Sequence, residues 1–140
     1  MEYRKLGSTN LKVSVISYGN WLNSEFADQQ ERTNRIVKRA WDLGINLFDT
    51  AEVYGRGEGE RQLGAALREL GVPREDLVVT TKVYFGTNES YPPNAAFLSR
   101  KHVIEGLYIF IFNLYIGLYA SLKRLDLSYV DMYFAHRCDP

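Results

Sequence analysis

Short apolar segments alternate along this chain with longer segments in which apolar residues recur every three or four positions. The short segments predict buried β-strands, and the longer ones predict amphipathic helices that turn one face toward a core. The predicted strands lie near residues 13–18, 45–49, 77–82 and 129–135. Ahead of them, Tyr3–Leu6 and Leu11–Val13 flank a Gly-Ser-Thr-Asn turn, which is the pattern of a short hairpin.

Three helices are predicted between these strands, and a glycine that can end the helix follows each of the first two. The predicted helices are Asp28 or Thr33 to Leu43, Glu60 to Leu70, and a third from Arg100. The order is therefore a hairpin followed by βαβαβαβ, which places the chain in the α/β class.

Alternating βα units form either a doubly wound sheet or a closed barrel. A doubly wound dinucleotide-binding fold needs a glycine-rich turn after its first strand, whereas the first strand here runs into Gly19-Asn-Trp-Leu22. The glycine-rich segment Gly55–Gly59 follows the second strand instead. We interpret it as a loop entering the second helix, with a phosphate contact as the alternative. The predicted fold is the N-terminal half of a (β/α)₈ barrel: the hairpin, about four strands and three helices.

Four polar side chains follow the predicted strands. Asp49 and Tyr54 come after the second strand, Lys82 ends the third, and His136 follows the fourth. Because parallel strands of a barrel end at one edge, where barrel enzymes carry their chemistry, these side chains should converge there. Together they predict a proton-donating site.

These residues carry a family resemblance. Gly44–Gly55, Thr80–Lys82 and Tyr129–His136 together resemble the N-terminal half of an aldo-keto reductase. Further segments resemble the branch that contains voltage-gated potassium channel β subunits and their bacterial and plant relatives. Those segments are Tyr3–Gly7, Gly19–Trp21 and Leu98–Leu107.

The resemblance implies an oxidoreductase that reduces aldehydes or ketones with NADPH. Tyr54 would donate the proton, Lys82 would stabilise the phenolate left behind, and Asp49 would anchor Lys82. His136 would orient the carbonyl group of the substrate. No side chain supplies a hydride, so a cofactor must. The resemblance places Asp49 and Trp21 at that cofactor, with plain packing as the alternative for Trp21.

Two other functions stay open beside the reductase. One is a cytoplasmic regulatory β subunit with a potassium channel α subunit as its partner, and the other is a truncated product without activity of its own. His136 favours the reductase, because channel β subunits can carry Asn at that position. The resemblance also implies a cytoplasmic location and is compatible with a homo-oligomer of the full-length protein.

Charge and composition exclude some partners. The formal net charge is zero and the isoelectric point about 6.7, and no basic stripe is present, so we expect no nucleic-acid partner. The polar N-terminus predicts no secretory signal, and the sequence predicts no metal site. His102, beside Lys101 at a predicted helix start, is expected to be solvated.

Length and one apolar segment depart from the family pattern. A (β/α)₈ barrel takes roughly 250 residues, so residues 1–140 are predicted to be the N-terminal half of an oxidoreductase domain, and this form is expected to be inactive. Residues 108–119 carry no charge and look like an apolar insertion that lengthens the third helix. Our hypothesis is a short intron translated in frame, with a membrane-binding or partner-binding helix as the alternative.

Overall fold

A computed structural model describes residues 1–22, 29–88, 97–98, 102 and 116–138. A two-stranded antiparallel sheet pairs β1 (Tyr3–Lys5) with β2 (Lys12–Ser14). A four-stranded parallel sheet has the order β3 (Tyr18–Gly19), β4 (Leu47–Asp49), β5 (Val78–Val83) and β6 (Met132–Ala135). The helices in this part of the chain are α1 (Gln29–Asp42), α2 (Glu58–Leu70) and α3 (Ile116–Leu125), and short 3₁₀ turns span Tyr54–Gly57 and Arg74–Asp76.

The strand order confirms the predicted succession of neighbouring parallel strands, but the first strand begins later than expected. Val13 and Ser14 belong to β2, Val15 and Ile16 are exposed, and only Tyr18 and Gly19 pair with β4. The reason is a local turn, because the Ser14 hydroxyl donates a 2.7 Å hydrogen bond to the Ile16 carbonyl oxygen. A continuous strand over residues 13–18 is therefore wrong.

The hairpin covers the amino ends of the parallel strands, opposite Asp49. The Tyr3 hydroxyl donates to the Gly44 carbonyl oxygen at 2.7 Å, and the Ser14 amide donates to Oδ1 of Asn46 at 2.8 Å. Both acceptor residues lie within three positions of the start of β4, whereas Asp49 is its last residue. The hairpin therefore lies at the end of the sheet opposite the candidate site, which is at the carboxyl ends of the strands.

The start of the predicted third helix at Arg100 and residues 108–115 of the apolar insertion lie outside the described residues. Helix α3 begins at Ile116, so residues 116–119 of the insertion form its first turn. Within the described ranges, no helix is long and apolar enough to cross a membrane.

The core lies between the helices and one face of the parallel sheet. Phe48 and Val79 are fully buried there, since alternate strand residues point toward the helices. The helices contribute side chains spaced three or four residues apart, as a buried helical stripe requires. These are Thr33, Val37 and Ala40 from α1 and Leu63, Ala66 and Leu67 from α2.

A buried ion pair joins α2 and α3 to the sheet. The Glu60 side chain is fully buried, and its Oε2 accepts a hydrogen bond from Nε of Arg124 at 2.5 Å. Its Oε1 accepts from the Thr81 hydroxyl on β5 at 2.6 Å. One carboxylate thereby links three elements through charge-assisted bonds.

Replacing Glu60 with Ala should destabilise the fold, because it leaves the Arg124 cation buried without its partner. The expected loss is roughly 3–5 kcal/mol in the free energy of unfolding, measured by urea denaturation. The matched control is Glu58→Ala on the same helix, whose ion pair with Arg61 is about half exposed and should contribute less than about 1 kcal/mol. Similar small losses in both variants would contradict this account.

Candidate active site

The register between β4 and β5 brings Asp49 and Lys82 together. Asp49 pairs with Thr80, and Lys82 lies two residues further on, so all three side chains point to the face away from the helices. Nζ of Lys82 is 2.5 Å from Oδ2 of Asp49, with side chains only 16% and 29% exposed. The sheet itself therefore builds a largely buried ion pair.

Among the described residues, the Lys82 ammonium group has three hydrogen-bonding partners, which matches its three N–H donors. Besides Asp49, it donates to the Thr50 carbonyl oxygen at 2.8 Å and to the Tyr54 hydroxyl at 3.3 Å. The other carboxylate oxygen of Asp49 accepts a 2.5 Å bond from the Thr80 hydroxyl. The predicted convergence of Asp49, Tyr54 and Lys82 is confirmed, and their catalytic roles remain predictions.

Tyr54 is held by the turn that leads into α2. It begins the 3₁₀ turn Tyr54–Gly57, and a Cβ atom at Gly59 would lie 2.9 Å from Cβ of Tyr54 and 3.0 Å from its carbonyl oxygen. Nδ2 of the buried Asn20 donates to the Gly59 carbonyl oxygen at 2.6 Å. The glycine-rich segment Gly55–Gly59 thus enters the helix as predicted, and its last glycine allows Tyr54 to approach.

His136 approaches the site from the end of β6. Its backbone amide donates to the Val83 carbonyl oxygen at 3.0 Å, which continues the ladder between β5 and β6. The imidazole ring makes edge contacts with the rings of Tyr54 and Phe85, each at a centroid distance of 5.6 Å. Its Nδ1 is buried without a hydrogen-bond partner among the described residues.

The His136 imidazole favours its neutral form. Burial lowers its pKa first, and the positive charges of Lys82 and Arg137 lower it further, whereas Asp49 opposes them. The His136 ring therefore disfavours a positive charge of its own beside the Lys82 ammonium group.

Comparison with known proteins identifies the architecture. A family model described as "Aldo/keto reductase family" matches residues 15–140. The chain belongs to the aldo/keto reductase family. The likeness extends over nearly the whole chain, and the fold is that of the N-terminal part of a (β/α)₈ barrel.

Among curated relatives, a protein of Schizosaccharomyces pombe is 50% identical over 140 residues, covering 99% of this chain and 37% of the relative. An Arabidopsis thaliana protein is 41% identical over 139 residues, covering 99% of this chain and 38% of the relative. Both are named as voltage-gated potassium channel β subunits. The chain thus spans less than two fifths of the length of these relatives.

Solved aldo-keto reductases share the fold. A thermostable one in complex with the inhibitor epalrestat superposes with a TM-score of 0.76 at 30% identity, covering 100% of this chain and 44% of that one. An enzyme of Klebsiella pneumoniae in complex with NADPH gives a TM-score of 0.66 at 29% identity, covering 94% of this chain and 38% of that one.

The other predicted residues of this aldo-keto reductase chain have different surroundings. Trp21 lies two residues beyond β3 and is 68% exposed, so packing in the described core does not account for it. The prediction of a solvated His102 is wrong, because that residue is buried, with Nδ1 2.6 Å from the Phe97 carbonyl oxygen and Nε2 3.9 Å from Oε2 of Glu52. Its carboxylate partner lies fifty positions earlier in the sequence, where no local pattern reveals it.

Sequence reasoning missed several residues that support the site. Thr80 could have been found from its position two residues before Lys82, on the same face of β5, and Asn20 from its position directly after β3. Glu52 could have been found from its position between Asp49 and Tyr54, whereas Phe85 had no comparable signal. Among the residues the structure describes, no group of histidine, cysteine and acidic side chains is arranged to hold a metal ion.

The lowered pKa of His136 predicts a specific pH dependence of stability. The unfolded chain, with a histidine pKa near 6.5, binds a proton before the folded chain does, so acidification through and below that pH favours unfolding. His136→Asn removes this contribution. We expect the free energy of unfolding to fall more steeply from pH 7 to pH 5 in the parent than in the variant. Equal slopes, or a shallower slope in the parent, would contradict the assignment.

Proposed function

We propose that this chain forms part of an NADPH-dependent oxidoreductase that reduces aldehydes or ketones, with Tyr54 as the proton donor. The observation that carries the proposal is the Lys82 ammonium group, which contacts the Asp49 carboxylate at 2.5 Å and the Tyr54 hydroxyl at 3.3 Å. A packing role would not require a phenol, an ammonium and a carboxylate in series at the carboxyl edge of a parallel sheet.

In this mechanism, Tyr54 gives its hydroxyl proton to the carbonyl oxygen of the substrate as negative charge develops there. The neighbouring Lys82 ammonium stabilises the phenolate that remains. Asp49 and the Thr50 carbonyl oxygen hold Nζ in place at 2.5 and 2.8 Å, so the charge is already oriented before the reaction begins.

His136 would orient the carbonyl group. Burial and the nearby cations lower its pKa, which favours the neutral ring with one N–H donor and one acceptor nitrogen. Its edge contact with Tyr54 keeps it beside the proton donor. A neutral ring can donate a hydrogen bond to the substrate without adding a second positive charge next to Lys82.

The residues present fit a nicotinamide cofactor at this edge. Trp21 exposes an aromatic side chain just beyond β3, and each Asp49 oxygen, which accepts one described bond, keeps a lone pair for a hydroxyl group. These two residues would hold part of NADPH, which supplies the hydride when bound. The proposed location is cytoplasmic, as the family resemblance implies.

A second candidate function is a regulatory β subunit that binds a potassium channel α subunit. The names of the relatives from Schizosaccharomyces pombe and Arabidopsis thaliana favour it. It predicts that the protein co-purifies with the cytoplasmic domain of a channel α subunit. Failure to co-purify at micromolar concentrations of both proteins would contradict it, and the result is independent of reductase activity.

The reductase is tested in a complete barrel, made by joining residues 1–140 to the C-terminal part of the Schizosaccharomyces pombe relative. The barrel is made with and without residues 108–118, a deletion that removes all of the apolar insertion except Tyr119. Tyr54→Phe should lower kcat for aldehyde reduction by about 10²-fold or more, because the proton donor is lost. The Kd for NADPH should change little. The measurements are NADPH oxidation, followed by absorbance, and NADPH binding, followed by fluorescence.

Tyr129→Phe is the matched control for this test, since Tyr129 is 45% exposed and precedes β6 at its other end. This variant should keep the parent rate. Turnover by Tyr54→Phe at the rate of the control would refute the proton-donor role.

A further inference from the structure

A buried carboxylate that the proposed mechanism does not use lies between Asp49 and Tyr54 in the sequence. Glu52 is only 3% exposed. Its backbone amide donates to the Lys82 carbonyl oxygen at 3.2 Å, so the residue lies against the end of β5. Burying a carboxylate is costly unless donors satisfy it, so the position of those donors indicates what the residue does.

The donors belong to the segment that follows Lys82. Oε1 of Glu52 accepts hydrogen bonds from the backbone amides of Tyr84 and Gly86, both at 2.8 Å. Two N–H groups that converge on one carboxylate oxygen form strong, charge-assisted bonds. The side chain therefore ties the segment after β5 to the segment after β4, which carries Tyr54.

The residue between those two amides touches the candidate site. The Phe85 ring packs edge-on against the His136 imidazole, at a centroid distance of 5.6 Å and an interplanar angle of 77°. The Tyr84 ring in turn makes an edge contact with the Phe85 ring, at a centroid distance of 4.7 Å. The segment held by Glu52 therefore supplies a ring contact of the His136 imidazole.

We propose that Glu52 is a positioning residue of the active site, whose carboxylate fixes residues 84–86 so that Phe85 holds the His136 ring beside Tyr54. Its importance for carbonyl reduction depends on the proposed function, whereas the link between Glu52 and the His136 ring does not. Glu52 itself touches no reacting atom.

Glu60 is the control residue that distinguishes an effect on the position of the His136 ring from a general loss of stability. Both residues are buried glutamates, but the bonds of Glu60 run to Thr81 and Arg124 on the helix side of the sheet. Substitution of Glu60 should lower stability without altering the surroundings of His136. Substitution of Glu52 should alter those surroundings directly.

The first experiment uses NMR on the full 140-residue chain, which has two histidines, so His136→Asn assigns both imidazole signals. Glu52→Ala should shift the His136 imidazole signal and speed hydrogen exchange of the Tyr84 and Gly86 amides about tenfold or more. Glu52→Gln also removes the charge but keeps an acceptor oxygen, so its effects should be several-fold smaller. The difference between the two variants reports the hydrogen bonds rather than the charge.

Glu60→Gln should leave the His136 signal and both amide exchange rates close to those of the parent under native conditions. If Glu52→Ala does not fold, the proposal is tested by comparing Glu52→Gln with the parent. A neutral acceptor binds the two amides less strongly, so hydrogen exchange of the Tyr84 and Gly86 amides should still be faster in Glu52→Gln. The proposal is overturned if the Glu52 variants match the parent, or if Glu60→Gln moves the same signals equally.

The second experiment measures kinetics in the complete barrel described above. Glu52→Ala should lower kcat about tenfold or more with a smaller change in KM, Glu52→Gln should recover most of kcat, and Glu60→Gln should keep it. A parent barrel without reductase activity would count against the proposed function. The NMR test of the link between Glu52 and the His136 ring would still be valid in that case. An active barrel in which Glu52→Ala keeps the parent kcat would overturn the positioning role.

Discussion

A lysine ammonium group that is largely withdrawn from water requires a nearby negative charge, and in this protein Asp49 supplies it from the neighbouring strand. The ion pair at 2.5 Å fixes the position of Nζ, and Nζ in turn contacts the Tyr54 hydroxyl at 3.3 Å. Because strand pairing sets which residues share a face, the register between β4 and β5 determines this arrangement. A shift of one residue would send Lys82 into the helix side of the sheet.

The opposite face of the sheet carries a second buried ion pair, which contributes to the stability of the fold. Glu60 anchors α2 to Thr81 and to Arg124, while the preceding residue, Gly59, packs against Tyr54. Glu60 therefore stabilises the packing of α2, whereas Gly59 is the residue that meets Tyr54. Stability on the helix side and geometry on the catalytic side meet within two consecutive residues of α2.

The sequence allowed prediction of features that depend on local pattern and strand order. Asp49 and Lys82 were predicted because each lies at the end of an apolar strand, and parallel pairing brings such ends together. The start of β3 could not be predicted in this way. A hydrogen bond from the Ser14 side chain to the Ile16 carbonyl oxygen turns the backbone at a place where apolar residues suggested a strand. Contacts between distant residues were also missed. Glu52 and His102 are both buried near one another, fifty positions apart in the sequence.

The central claim, that the Asp49–Lys82 ion pair organises the site, is tested most directly by a double-mutant cycle on the free energy of unfolding. Asp49→Asn, Lys82→Met and the double variant are compared with the parent by urea denaturation. The account predicts a favourable coupling of roughly 0.5–3 kcal/mol, as expected for charged groups in contact and largely shielded from water. Additive effects of the two substitutions, with a coupling near zero, would contradict it.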